Sequence, residues 1–284
     1  MAKKSAPEIS PVMKTLATYI AQAGRKPLPK PVLERTKHHT LDTIAAMVSG
    51  SRLPPGRAAI SYIKTLGGTK QSTVIGSKFV TTAEHAALAN GMLAHADETD
   101  DSHAPSLTHP GCGVVPAALA MAERERASGT QLLRAVALGY DVGSRLSLSL
   151  HAHDFREAGH STHTFGPMFG AAAAAGSLAK LNYDQCRWLL SYTVQQASGV
   201  SCWMRDEEHI EKAFDFGGMP ARNGTAAAAM VSHGFTGVED ALSGERNFFH
   251  AYNEQGRIGK PPMPERLIEE LGSDRKSTRL NSSH

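Results

Sequence analysis

Aromatic residues, cysteines and long hydrophobic runs are all scarce in this 284-residue chain. Only 6% of the residues are aromatic, although 41% are hydrophobic. The three cysteines are odd in number and far apart, which argues against a disulfide framework and is typical of reduced intracellular thiols: Cys112, Cys186 and Cys202. No apolar stretch is long enough to span a membrane, and the basic start at residues 1–5 precedes no secretory hydrophobic core. We therefore expect a cytoplasmic protein without a membrane partner.

A strong charge of either sign is also lacking. The formal net charge is +3, and the last eleven residues, 274–284, carry two of these three charges. This tail has no apolar periodicity and resembles the in-frame translation of a sequencing adapter, so we expect the natural protein to continue beyond Ser273. The remaining body is close to neutral, which gives no reason to expect a nucleic-acid partner or binding to anionic membranes.

Alanine and helical spacing are what the sequence does contain. The alanine runs at 171–175 and 226–229 are typical of closely packed helices, because small side chains let helix axes approach. One short strand is expected at 71–75. The apolar periodicity predicts helices over 11–20, 32–50, 58–66, 115–127, 131–150, 186–196 and 220–231. In the absence of a repeat or linker, residues 1–273 are predicted to form a mainly α-helical domain with active groups on its loops.

Three local signals mark where helices begin. Residues 81–84 match a capping box at the start of a helix that reaches about residue 94, and residues 182–185 indicate another start. Pro116 is expected in the first turn of the helix over 115–127.

Acidic residues and histidines are concentrated between residues 95 and 109, where four acids and three histidines lie within fifteen positions. One interpretation is acid–base catalysis, in which His103 or His109 moves protons and the carboxylates tune them. Another is a magnesium site formed by Asp97, Asp100 and Asp101. A third is a solvated loop with helix caps. The low charge of the surrounding sequence argues against the loop. The scarcity of aromatics and the lack of a second acidic motif argue against magnesium.

Two further segments carry chemistry-bearing residues. In residues 159–166, His160 or His163 lies among hydroxyls and glycines before an alanine-rich helix, whose N-terminus offers N–H groups to an anion unless the histidine only caps the helix. In residues 211–224, Lys212 precedes a predicted glycine-flanked turn and Arg222 follows it, so the two cations could hold carboxylates. The sequence contains no phosphate-binding loop, dinucleotide fingerprint or serine nucleophile elbow.

With these motifs in this order, the sequence resembles the MmgE/PrpD family of 2-methylcitrate dehydratases and cis-aconitate decarboxylases. The resemblance runs through most of the chain and is carried by residues 89–95, 100–101, 109–111, 115–120, 139–140, 160–166, 221–224, 234–237 and 244–249. It implies a large all-helical domain, with a smaller α/β lid domain missing from this chain, and a homodimer in the full-length protein. It also implies a metal-independent lyase without a cofactor, a dehydratase or decarboxylase whose partner is a small di- or tricarboxylate.

The resemblance also assigns residues, with two departures from the family pattern. Glu98 stands where the family has an aspartate, and Ser102 stands where it has a threonine. The resemblance implies that three residues are catalytic: His109, His160 and Asp100. It implies that four bind or orient the substrate: Glu98, Ser102, Lys212 and His103. The match of the lysine needs a one-residue gap.

Several alternatives remain open from the sequence. Either histidine could be the base, and the outcome could be loss of water, loss of carbon dioxide or epimerisation. The alternatives to the metal-independent lyase are a magnesium-dependent helical enzyme and an inactive fragment that only associates.

Overall fold

The computed structural model describes residues 8–252 and 260–272. The predicted tail at 274–284 and the start at 1–5 lie outside these residues. The α-helices are α1 (Pro11–Ala23), α2 (Lys30–Gly50), α3 (Pro54–Leu66), α4 (Ala83–Ala94), α5 (Pro110–Arg124), α6 (Gly129–Ser149), α7 (Ala152–Glu157), α8 (Thr162–Leu178), α9 (Tyr183–Gln196), α10 (Ile210–Ala213), α11 (Met219–Ser232) and α12 (Phe248–Ala251). Two short strands, β1 (Ser72–Thr73) and β2 (Val80–Thr81), form an antiparallel pair. The predicted mainly α-helical fold is confirmed.

Helix α8 is the central element of the fold. Every residue from 162 to 176 is buried, and the helix packs against α5, α6 and α11. Its five consecutive alanines leave little side-chain bulk on any side, so neighbouring helices can lie close around it. The start of α8 is therefore held in the interior, where the residues of the candidate site collect.

A close helix contact in the core, between α6 and α8, runs through two pairs of glycines. Gly139 and Gly143 of α6 face Gly166 and Gly170 of α8, and both pairs are spaced four residues apart. A Cβ atom on Gly143 would lie 2.7 Å from the carbonyl oxygen of Gly166, and one on Gly170 would lie 2.4 Å from that of Gly139. Backbone cannot yield at such distances, so these positions require glycine for the helices to approach.

A second close contact joins α4 to the segment before α11, and here the predicted turn is wrong. Residues Phe214–Gly218 form a π-helical turn that continues α10 directly into α11. Gly217 lies against Gly91 of α4, and a Cβ atom on Gly217 would come within 2.1 Å of the Gly91 carbonyl oxygen. The glycines therefore permit helix contact rather than reverse the chain.

Two predicted helix starts are displaced in the structure. Helix α5 begins at Pro110, six residues before Pro116, which lies inside the helix. The N-cap of α4 is Thr82, whose hydroxyl accepts from the His85 N–H, so residues 81–84 do not form a capping box. Thr81 instead belongs to β2, and its hydroxyl donates to the Gly67 carbonyl. The start at residues 182–185 is confirmed, with a full capping box at Asn182.

Helix α2 has an unusual distribution of polar and apolar residues. Its buried face contains threonines whose hydroxyls donate to carbonyls one turn earlier, Thr36 to Val32 and Thr43 to His39. Leu41 is 68% exposed on the opposite side. The helix predicted over 32–50 is confirmed. Part of the apolar face on which that prediction rests is nevertheless exposed to solvent. Within the described residues, no helix combines the length and apolarity needed to cross a bilayer.

We predict that Gly143→Ala destabilises the domain by about 2–3 kcal/mol, because the added methyl group must push α6 away from α8. The matched control is Gly129→Ala at the start of the same helix, where a Cβ atom would meet nothing within 4 Å. That variant should be neutral or stabilising by about 0.5 kcal/mol. Urea unfolding of both variants measures the difference, and equal stabilities would contradict the close-approach interpretation.

Candidate active site

A buried carboxylate, Asp100, lies at the centre of the site in the loop between α4 and α5. Its Oδ1 atom accepts a hydrogen bond from His95 Nδ1 at 2.9 Å and lies 3.6 Å from His109 Nδ1. His95 and Asp100 are both almost fully buried. Burial alone would raise the pKa of Asp100, but the two histidines outweigh it and hold the pKa far below its usual range. Asp100 is therefore a fixed negative charge.

His109 is the histidine of this group that solvent and a substrate can reach. It immediately precedes the first turn of α5, and its side chain is 23% exposed. Burial and Lys212 lower the pKa of His109, while Asp100 and Asp101 raise it; the net result lies above the ordinary value. A partly exposed imidazole paired with a carboxylate can both take up and release a proton near neutral pH.

Phe216, in the π-helical turn, is enclosed by two of the histidine rings. His163 stacks on it with ring centroids 3.8 Å apart, and His95 stacks on it at 4.2 Å. The ring of His109 lies 5.3 Å from that of His163. Burial, His109 and His95 lower the pKa of His163 well below its ordinary value, so this ring is neutral.

The structure gives the predicted catalytic residue His160 different neighbours. Its ring stacks on Phe155 at 4.3 Å and makes edge contacts with Phe165 and Tyr252. His163, which lies in the first turn of α8, is the histidine of residues 159–166 that contacts the His109 ring. The catalytic role of His160 stays a prediction.

Lys212 and Glu98, both predicted to bind substrate, are brought together from positions 114 residues apart. Lys212 Nζ donates to Glu98 Oε1 at 2.6 Å, and His209 Nδ1 lies 2.8 Å from the same oxygen. The Lys212 ammonium group also lies 5.5 Å from the centre of the Phe216 ring and 5.7 Å from that of Trp203. The lysine is therefore a cation at the edge of the histidine cluster.

The other two predicted binding residues lie in the loop between Asp101 and α5. His103 is buried, and its Nδ1 atom lies 2.6 Å from the Ser106 hydroxyl, which also contacts the Thr108 hydroxyl. Burial lowers the pKa of His103 more than Asp101 raises it. These contacts fold the loop that leads to His109. Ser102 is half-buried. Substrate binding by both residues stays a prediction.

The three acids of the magnesium interpretation have separate partners. Asp97 accepts from the Thr99 hydroxyl, and Asp100 faces His95 and His109. Asp101 accepts from the backbone N–H of Gly111 at 2.9 Å, in the first turn of α5, and its other oxygen lies 2.9 Å from His39 Nδ1. Asp101 thus holds the start of α5, and with it His109, in place.

A different set of side chains is close enough to hold a metal ion. In the described residues, His95, Asp100 and His109 have ligand atoms within 4.8 Å of one another. Two imidazoles and one carboxylate suit zinc rather than magnesium. An ion there would have to replace the hydrogen bond between His95 and Asp100.

Sequence reasoning missed part of this site. Phe216 and Trp203 are not among the predicted site residues, although the chain contains only nine phenylalanines and two tryptophans. His163 was named only as an alternative to His160. The sequence does contain a signal for His163: it lies in the first turn of an alanine-rich helix, and a side chain on such a buried helix points into the interior. Nothing in the local sequence signals that Phe216 stacks against rings more than fifty residues away.

The fold and the site together define a helical domain with a buried histidine–carboxylate centre beside a lysine. A family model described as the MmgE/PrpD N-terminal domain matches residues 14–259. The chain therefore belongs to the MmgE/PrpD family.

Three curated relatives give the comparison more detail. The chain is 28% identical over 280 residues to the cis-aconitate decarboxylase-like protein oryM of Aspergillus oryzae, covering 93% of this chain and 56% of that protein. It is 30% identical over 223 residues to human cis-aconitate decarboxylase, covering 76% and 45% respectively. Cis-aconitate decarboxylase of Aspergillus terreus is 26% identical over 276 residues, with 93% and 54% covered. The chain spans about half the length of these relatives.

We predict that His109 titrates above its ordinary value of 6.5 and that Asp100→Asn lowers its titration midpoint, because burial then acts without the opposing carboxylate. Because the folded state binds the His109 proton more tightly than the unfolded state, proton binding adds to the free energy of unfolding. This contribution is fully present below pH 6.5 and is lost as the pH rises through the titration midpoint of His109 in the folded protein. NMR titration of the imidazole Cε1–H measures it. Asp141→Asn, in a separate ion pair with Arg145, should leave the midpoint unchanged. An unchanged midpoint in Asp100→Asn would contradict the pairing.

Proposed function

We propose that the complete polypeptide is a metal-independent lyase that acts on a small di- or tricarboxylate by proton transfer next to a carboxylate. The observation that carries the proposal is the position of His109. Its imidazole is paired with Asp100, its ring centroid lies 5.3 Å from that of His163, and Lys212 is close enough to affect its pKa. Membership of the family and similarity to the cis-aconitate decarboxylases support this class of reaction.

Carboxylate binding is proposed for the Lys212 side of the site. Lys212 Nζ is bound to Glu98, so a carboxylate group already occupies part of its hydrogen-bonding capacity. A substrate carboxylate would share or replace this contact. Removing a proton or carbon dioxide next to a carboxylate builds negative charge, which an ammonium group in a partly desolvated site stabilises.

Proton transfer is proposed for His109, with Asp100 as its fixed partner. In a decarboxylation, the C–C bond to the departing carboxylate breaks, its electron pair stays on carbon, and a protonated histidine supplies the proton. The raised pKa of His109 favours the protonated form that this step requires. In a dehydration the same histidine would protonate the departing hydroxyl. His160 is the second predicted proton-transfer residue, and the choice of base and acid between the two stays open.

Cis-aconitate is the first substrate to test, because the relatives are named for its decarboxylation. Dehydration and epimerisation of related acids are the next reactions. Glu98 and Ser102, the two departures from the family pattern, are the positions at which specificity would differ. The homodimer stays a prediction of the resemblance, and so do the domain limits at 1–273. Sedimentation of the complete polypeptide would test the homodimer.

We predict that His109→Ala in the complete polypeptide lowers cis-aconitate turnover by at least about 100-fold, the usual contribution of a proton-transfer residue. The variant should still fold, because His95 keeps its hydrogen bond to the buried Asp100 carboxylate. The matched control is His38→Ala, because His38 is an exposed histidine on α2 and should leave turnover unchanged. Near-normal turnover of His109→Ala would remove His109 from the mechanism. Absence of turnover by the unaltered polypeptide with any di- or tricarboxylate would refute the proposed function.

We also predict that turnover survives exhaustive dialysis against EDTA, because the carboxylates of Asp97, Asp100 and Asp101 each have a separate partner within the protein. The measurement is the initial rate before and after chelation, with metal analysis of the same sample. A rate that falls to zero and returns with added magnesium would favour the magnesium-dependent alternative.

A further inference from the structure

Asp215 is a buried acid that the proposed mechanism does not use. It lies in the π-helical turn, three residues after Lys212 and next to Phe216, and only 6% of its surface is exposed. Its Oδ2 atom accepts a hydrogen bond from the Ser161 hydroxyl. Its backbone carbonyl accepts a second hydrogen bond, from the Thr164 hydroxyl at 3.0 Å.

Both of these donors belong to the start of α8. Ser161 is the N-cap residue of that helix, yet its side chain makes no capping hydrogen bond. The hydroxyl instead donates to Asp215 and accepts from Trp203 Nε1 at 3.2 Å. A serine at an N-cap ordinarily satisfies a free N–H of the first turn, so its use here ties the helix start to another element instead.

The hydrogen bonds to Asp215 therefore join two halves of the candidate site. One half is the segment from Lys212 to Phe216, which carries the ammonium group and the central ring. The other half is the start of α8, where His160 and His163 lie on either side of Ser161. A π-helical turn contains an extra residue compared with an α-helical turn, and such turns occur frequently at functional sites.

The electrostatics of Asp215 agree with this placement. Its pKa is raised to about 6 on balance: burial raises it most and Glu211 adds a smaller increase, while the hydroxyls of Ser161 and Thr164 lower it. At neutral pH the side chain is therefore mainly a carboxylate, and hydrogen bonds to a charged acceptor are stronger than neutral ones. Its side-chain partner is Ser161 rather than a member of the His95–Asp100–His109 group, so its effect on that group would be indirect.

We propose that Asp215 is a positioning residue for the reaction. Through Ser161 it holds the start of α8 at a fixed place relative to Lys212, and with it His160 and His163. This inference rests on the proposed function. A residue of this kind acts on the transition state through geometry, since a displacement of about 1 Å can cost up to about 100-fold in rate.

Three variants of the complete polypeptide test the proposal: Asp215→Asn, Ser161→Ala and the double variant. We expect each single variant to lower kcat by about tenfold with less than about a threefold change in KM, because alignment is lost while Lys212 still binds the carboxylate. The double variant should be no slower than the slower single variant, because both changes act on the same hydrogen bond: Asp215→Asn removes the charge of its acceptor and Ser161→Ala removes its donor. If Asp215→Asn does not fold, Ser161→Ala breaks the same hydrogen bond with the loss of one hydroxyl.

The matched control is Asp240→Asn. Asp240 also accepts a serine hydroxyl, from Ser243 at 2.7 Å, and it receives the Ser10 N–H at the start of α1. This variant should lower the thermal midpoint without changing kcat or KM. A fall in kcat of similar size in Asp240→Asn would mean that general destabilisation explains the effect, and would overturn the proposal.

Two measurements without turnover separate this inference from the proposed function. Asp215→Asn should speed backbone amide exchange at residues 162–165 and shift the Cε1–H resonance of His163, which lies in the ring current of Phe216. Asp240→Asn should do neither. If the unaltered polypeptide has no lyase activity, the proposed function fails, while exchange and NMR still test whether Asp215 holds α8. Faster exchange with unchanged kcat, or unchanged exchange and resonance, would overturn the positioning role.

Discussion

A buried negative charge at Asp100 is the constraint on which the candidate site depends. A carboxylate taken out of water needs compensating partners, and here His95 and His109 supply them. The same charge raises the pKa of His109, the one ring of the pair that is partly exposed. Its neighbour Asp101 secures the start of α5 through Gly111, so adjacent acids serve two purposes. Asp101 positions His109, and Asp100 raises its pKa.

The site also needs helices that lie unusually close together. Gly91 and Gly217 let α4 contact the π-helical turn, which brings Phe216 between the rings of His95 and His163. On the other side, the glycine pairs of α6 and α8 hold the start of α8 in the interior. Two of the chain's few large rings, Phe216 and Trp203, lie where chemistry is proposed, and small residues fill the helix contacts.

Similarity to the relatives and the geometry of the site address different questions. The family match and the identities of 26–30% concern the class of protein, and they cover only about half the length of the relatives. The structure concerns which side chains meet. It groups His109, Lys212 and Glu98 with residues that were not selected beforehand, and it places His160 among Phe155, Phe165 and Tyr252.

The sequence by itself determined the helical class, most helix positions and the concentration of acids and histidines at residues 95–109. These features are local: apolar spacing, the capping box at Asn182 and the density of acids and histidines all lie within a few turns of chain. The tertiary structure alone decided that His163 contacts His109, that residues 214–218 form a π-helical turn, and that α2 turns its threonines inward. Each of these depends on partners distant in the sequence, because burial and ring stacking are set by which helices pack together.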